Sequence, residues 1–282
     1  MVRTATSLAA LVLSLFASGA HAAPVAITTC GQTVAEGVLV GDLDCGAASG
    51  FAVVLTDGGW LDLAGYRLTG TADHSLDPQN PIYGGGVHCL GECTVTGGGG
   101  AIVAPPGVPA ESLYSIGIYS DPYETRSRMR LDNMTISGWS TYGVLTRFAD
   151  VSNCHFTGNA YGIVVENKMT MDGCTLTGNS ARGAHFSRGE VSNSSFDGNH
   201  EGFYVMKGLR LFSSSASNNQ SRGLFIGGRV RAEDSVIDGN CLSPPGYCAD
   251  VVARRHPRLI NTSCTTSYND VANSYWYVCS QN

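Results

Sequence analysis

Shifted by twenty residues, the second half of the chain lies on itself row by row, and that repeat limits the fold more tightly than any other feature. Leu131-Asp-Asn-Met-Thr-Ile136-Ser-Gly138 is followed by Val151-Ser-Asn-Cys-His-Phe156-Thr-Gly158-Asn159 and by Met171-Asp-Gly-Cys-Thr-Leu176-Thr-Gly178-Asn179. Val191-Ser-Asn-Ser-Ser-Phe196-Asp-Gly198-Asn199 and Leu211-Phe-Ser-Ser-Ser-Ala216-Ser-Asn-Asn219 continue the series, which ends at Ile237-Asp-Gly239-Asn240 after a one-residue insertion. Each row is completed by an apolar segment opened by glycine: Tyr142-Gly-Val-Leu, Tyr161-Gly-Ile-Val-Val, Arg182-Gly-Ala-His-Phe, Glu201-Gly-Phe-Tyr-Val and Arg222-Gly-Leu-Phe-Ile. These segments are short, rich in β-branched and aromatic residues, and broken by Gly and Asn, which leaves no helical stripe. A β-sandwich would accept such strands but has no reason to repeat residues at a fixed interval. A solenoid does, because equivalent positions of stacked coils touch.

A coil of about twenty residues, built of short strands and tight turns, predicts a parallel β-helix with coils about 4.8 Å apart along the axis. Val144, Ile163, Ala184, Phe203 and Leu224 then form one inward row, and Val165, Phe186, Val205 and Ile226 another. Asn159, Asn179, Asn199, Asn219 and Asn240 are expected to stack at one corner, where amides bond from coil to coil and Asn tolerates turn backbone. Cys154 and Cys174 share the register of Ser194, Ser214 and Ser235 and point inward, either as buried thiols or as one disulfide. The expectation is an all-β, single-stranded parallel β-helix of roughly ten coils, most regular over residues 131–240.

Arg3, the apolar stretch Leu8 to Ala17 and the small-x-small site Ala20-His21-Ala22 read as a signal peptide over residues 1–22, leaving one domain over 23–282. The apolar stretch is too short for a membrane span, which needs about 20 residues, so a secreted protein without a transmembrane segment is expected, extracellular, periplasmic or at the cell surface. All ten cysteines follow the cleavage site and meet an oxidising compartment, where disulfides persist. Their spacing suggests local pairs, Cys30 with Cys45, Cys89 with Cys93, Cys241 with Cys248 and Cys264 with Cys279. Zinc at Cys89 and Cys93 beside His88 would need a second Cys or His pair at a fitting distance, and none stands there, so no metal site is expected. The formal net charge of −6 argues against nucleic acid or anionic lipid as the main partner, and a monomer is expected.

A solenoid exposes an unpaired strand row at each end and needs covers there. Cys30-Gly-Gln-Thr-Val to Asp42-Leu-Asp-Cys45 and Cys264 to Ser274-Tyr-Trp276-Tyr-Val-Cys279 have the composition of an N-terminal cap over 30–45 and a C-terminal cap over 264–282 with an aromatic plug. Together with the Leu61-Asp-Leu-Ala-Gly-Tyr-Arg-Leu-Thr-Gly70 coil and the Gly-Asn corners, these segments resemble the secreted right-handed parallel β-helix repeat proteins, the superfamily that includes pectate lyases. The resemblance spans residues 30 to 282 and implies a right-handed coil. It also implies that the irregular stretch 71–125, with Asp77-Pro78 and Pro105-Pro106, holds coils with long insertions that wall a groove. It is weak on activity, because the fold hosts lyases, hydrolases, epimerases and non-catalytic adhesins.

The catalytic motifs of those relatives are missing. The polygalacturonase-like Asn-Thr-Asp, Asp-Asp, Gly-His-Gly and Arg-Ile-Lys motifs are absent, no acidic row is dense enough for a lyase's calcium, and the Asp-Pro pairs continue with Gln79 and Tyr123 rather than His. Alternation along the glycine-opened strands gives an outward row, Leu145, Val164, His185, Tyr204 and Phe225, with Arg147, Glu166, Arg188 and Lys207 just beyond it. Rings beside cations suit a sugar track, stacking on pyranose faces and meeting carboxylates. If the chain is an enzyme, His185 is the acid/base with Tyr204 assisting, and Arg147, Glu166, Arg188, Lys207 and Phe225 hold substrate. The expectation is a non-catalytic β-helix that binds an extracellular glycan or surface partner, with no cofactor. The alternative is a polysaccharide lyase or related enzyme on uronate polymers, for which calcium would be needed.

Overall fold

The computed structural model describes residues 23–72, 84–107, 115–241 and 248–272, together with the backbone of a strand at Ser274–Trp276 and Cys279. Residues 1–22, read above as a signal peptide, Asp77-Pro78 of the irregular stretch, and the side chains of the segment expected as an aromatic plug lie outside the described residues. What is described is a right-handed parallel β-helix, three strands to the coil. The first two faces are often one long, bent strand, as in Tyr142–Ser152, Tyr161–Asp172, Arg182–Ser192 and Glu201–Phe212. The third face carries short strands such as His155–Thr157 and Thr175–Thr177 and continues through single bridges at Ser195 and Ser215 to Val236–Ile237. Ten levels of the third face stack from Leu43–Asp44 to Ser263–Cys264. Every pairing is parallel except the last, where Ser267–Asn269 meets Ser274–Trp276 antiparallel. No helix among the described residues is long and apolar enough to cross a membrane.

Both inward rows run through the core: Val144, Ile163, Ala184, Phe203 and Leu224 pair in register, as do Val165, Phe186, Val205 and Ile226, and all are fully buried. Phe196 and Phe203 bring the third and first faces together with ring centroids 3.7 Å apart. The glycine that opens each coil is imposed by backbone approach. A Cβ on Gly183 would stand 2.8 Å from the Gly202 carbonyl oxygen and 3.1 Å from the Asn199 amide nitrogen, and its column mates are as tight. The left-handed turn backbone lies elsewhere than expected. It falls on Asn153 and Asn193 between the second and third faces and on Gly158, Gly178 and Gly198 just before the asparagine column, which is therefore kept for its amides.

Those amides form a continuous buried ladder. Asn159, Asn179 and Asn219 each donate from Nδ2 and from the main-chain nitrogen to Oδ1 of the next asparagine, at 2.8 to 3.2 Å. The ladder ends on Asp250, whose carboxylate accepts from Asn240, from the main-chain nitrogens of Thr265 and Thr266 and from the Thr266 hydroxyl. A carboxylate suits that last step because it only accepts. A parallel column lines the neighbouring corner: Cys154 and Cys174 are free, buried thiols that donate to the Ser152 and Asp172 carbonyls, as the Ser194 and Ser214 hydroxyls do two residues back in their own coils. The contact with Cys174, joined by burial, pushes the Cys154 thiol up, as suits a packed thiol.

Four disulfides join Cys30 to Cys45, Cys89 to Cys93, Cys241 to Cys248 and Cys264 to Cys279. The second spans the bend between the first and second faces of one coil. At the N-terminal end Val25–Ile27 adds a short level on Gln32–Leu39.

Candidate functional site

The outward row of the first face is in register along the whole helix: His88, Tyr119, Leu145, Val164, His185, Tyr204, Phe225, Val252 and Tyr268 stand on successive coils. Its two ends differ. Towards the C-terminus Phe225, Val252, Tyr268 and Ala249 form a small outer apolar cluster against Tyr204, and Phe225 is only 7% exposed. Phe225, expected as a ligand contact, is thus covered by its neighbours. Tyr204 bridges the two regimes, stacked on Phe225 at 4.7 Å and edge-on to His185 at 4.9 Å.

Towards the N-terminus the row opens into a cleft of about 340 Å³. Tyr142 and Tyr161, paired on adjacent coils with ring centroids 5.4 Å apart, line it with Val164 and Tyr119. Pro122 and Tyr123, from the insertion between the two faces of one coil, wall one side, and Arg147 holds that wall by donating to the Tyr123 carbonyl at 3.0 Å. Glu166, Arg182 and His185 supply the polar groups.

Arg182 organises this edge. Its guanidinium lies 4.0 Å from the Tyr204 ring centroid, donates from Nε to Glu201 at 2.9 Å and sits 3.3 Å from His185 Nδ1. Arginine can only donate, so Nδ1 accepts and the neutral ring carries its proton on Nε2. Burial, joined by the Arg182 charge, lowers His185 to about 4. The native ring therefore stays neutral where the unfolded chain, with an ordinary value of 6.5, takes up a proton. The stability it contributes is complete above pH 6.5 and falls away as pH drops towards about 4. His185→Phe, which keeps the ring contact with Tyr204, is expected to flatten the loss of unfolding free energy between about pH 7 and pH 5, measured by chemical denaturation. An unchanged slope would show that His185 titrates normally.

The four charged residues expected beside the row do not assemble. Arg147 and Glu166 sit at the bend, Arg147 bonded to the wall and Glu166 exposed in the cleft. Arg188 pairs with Lys168 and Gly208, not with Lys207, and faces outward on the second face. Lys207 lies in the bend near Arg229 and Arg255. The reason is a bulge: the bend takes one residue at Arg147 and Ser187 but two at Glu166-Asn167 and Met206-Lys207. Sequence reasoning passed over Arg182, Glu201 and the cleft tyrosines. They precede the column glycines at 143, 162, 183 and 202, where a run of Tyr, Tyr, Arg, Glu was readable. Among the described residues no three His, Cys, Asp or Glu side chains converge to hold a metal ion.

Residues 116–264 match the family model described as "Right handed beta helix region". Among solved structures, the chain is similar to one titled "Crystal structure of pectate lyase Pel9A", with 14% identity and a TM-score of 0.46 over 79% of this chain. The chain spans 62% of the length of that protein. A search of curated protein sequences returns no significant match. The family match takes in more than half of the chain, and its limits fall on coils that stack in one register from the first-face strand Ser115–Ser120 to the third-face strand Ser263–Cys264, so the chain belongs to the right-handed β-helix family.

Proposed function

We propose that this is an exported, monomeric β-helix, mature from about residue 23, that binds an extracellular glycan without turning it over. The aromatic cleft carries the reading: tyrosine rings on adjacent coils offer flat apolar faces to a pyranose, and Glu166 and Arg182 stand beside them to meet hydroxyls. Two of the groups that could do chemistry are already employed. Glu201 is clamped between Arg182 and Arg222, and His185 Nδ1 is taken by Arg182, so both hold the edge of the cleft in shape. Four disulfides support export, since such bonds persist in oxidising compartments.

The test is binding of the mature protein to a panel of neutral and acidic glycans, with ultraviolet absorbance of any unsaturated uronate followed in parallel with calcium present. Retention on a glycan that weakens about tenfold in Tyr161→Ala, with no product, is the expected result. Product formation lost in His185→Ala would replace this reading with the uronate lyase. Binding indifferent to Tyr161→Ala would move the site out of the cleft.

A further inference from the structure

The second face carries a groove of about 670 Å³ that is separate from the cleft and strongly cationic. Seven of the chain's 17 lysines and arginines line it, in a protein whose net charge is −6. Their order is set by strand register. Arg210, Arg231 and Arg258 stand directly opposite one another on three successive coils, and Lys168, Arg188 and Arg229 occupy the outward position two residues earlier. All six are exposed. Like charges directly opposite on neighbouring strands repel, so this column costs the free protein stability. Little relieves it: Glu190 reaches Arg210 only at 3.8 Å between side chains at least half exposed, and Glu233 engages Arg231. Among the described residues Lys168, Arg188, Arg229, Arg255 and Arg258 have no ion-pair partner.

We propose that this groove binds a densely sulfated polysaccharide lying along the helix axis. Arginine forks fit tetrahedral and planar oxyanions with paired hydrogen bonds, and six of the seven cations are arginine. Charge density selects the ligand. The last coils offer about two cations each, Arg229 with Arg231 and then Arg255 with Arg258, at a rise of about 4.8 Å per coil, which calls for more than one anion per sugar. No Phe, Tyr or Trp lines the groove to stack on a base, which disfavours single-stranded nucleic acid. The groove is independent of the cleft, and the variants that test it lie on a different face.

The experiment measures binding of the mature protein to dextran sulfate, polygalacturonate, neutral dextran and single-stranded DNA across a salt series. Dextran sulfate is expected to bind at least about tenfold more tightly than polygalacturonate, with affinity falling steeply as salt rises, and neutral dextran not to bind. The triple variant Arg210→Gln, Arg231→Gln, Arg258→Gln is expected to lose about tenfold or more and to flatten the salt dependence, while Tyr161→Ala binds dextran sulfate as before. Without polymer the triple variant should melt no lower than the wild type, because it removes a repulsion. That readout separates a binding column from a structural one. Equal or tighter binding of polygalacturonate or DNA, or a triple variant that binds normally, overturns the proposal.

Discussion

Asn199→Ala is expected to lower the free energy of unfolding by about 4 kcal/mol, because it strands several buried polar groups at about 1–3 kcal/mol each. Asn199 is fully buried. Its Oδ1 receives the main-chain nitrogen and Nδ2 of Asn179 at 3.1 and 2.8 Å, and its own Nδ2 donates to the Leu176 carbonyl at 2.8 Å. Truncation leaves two donors and one acceptor without partners, in a corner where the glycine column excludes a side-chain replacement and the coils are in contact. Asn199→Asp retains both acceptances but cannot donate to Leu176 and buries a charge, so it is expected to be no better. Equilibrium denaturation reads both. A loss below about 1 kcal/mol for Asn199→Ala would mean that water enters the corner and replaces the amide.

That column was legible from residue spacing alone, as were the two inward rows, because equivalent residues of a solenoid touch and must agree in size and polarity. The bends were not. Asparagines 159, 179, 199 and 219 keep an interval of 20, but the column glycines at 143, 162, 183, 202 and 223 alternate between 19 and 21. Half of the alternation comes from bends that take one residue and then two, and half from the corner between asparagine and glycine, which takes two residues after Asn159 and Asn199 and three after Asn179 and Asn219; a count that ignores the bends sets Arg188 beside Lys207 instead of Gly208. The second-face cations were hidden because the last coils are of unequal length. Arg210, Arg231 and Arg258 are 21 and 27 residues apart, and only the register of the strands makes them one column. The cover over Phe225 was hidden because outward alternation says which way a side chain points and not what lies on it; Tyr268, one of its neighbours there, comes from two coils further on.

Glu201→Gln is expected to cost about 3 kcal/mol, the low end of the destabilisation that removing one partner of a buried ion pair brings. Glu201 is the single acid between two arginines: Oε2 takes Arg182 Nε at 2.9 Å and Oε1 takes Arg222 Nη2 at 2.7 Å. Its side chain is 6% exposed and those of the arginines 24%, so removing the charge leaves two cations poorly solvated two coils apart, while their partial exposure keeps the loss moderate. The effect carries to the cleft, because the same guanidinium that Glu201 holds lies over Tyr204 and bonds His185 Nδ1. Glycan retention should therefore weaken in Glu201→Gln under conditions where the variant is still fully folded. Replacing Arg182, Glu201 and Arg222 together by Met, Leu and Met should recover most of the stability, since no charge is then left unpaired, but should not recover retention. Recovery of both would show that the ion triad only fills space; recovery of stability alone assigns Arg182 to the ligand and Glu201 to positioning it.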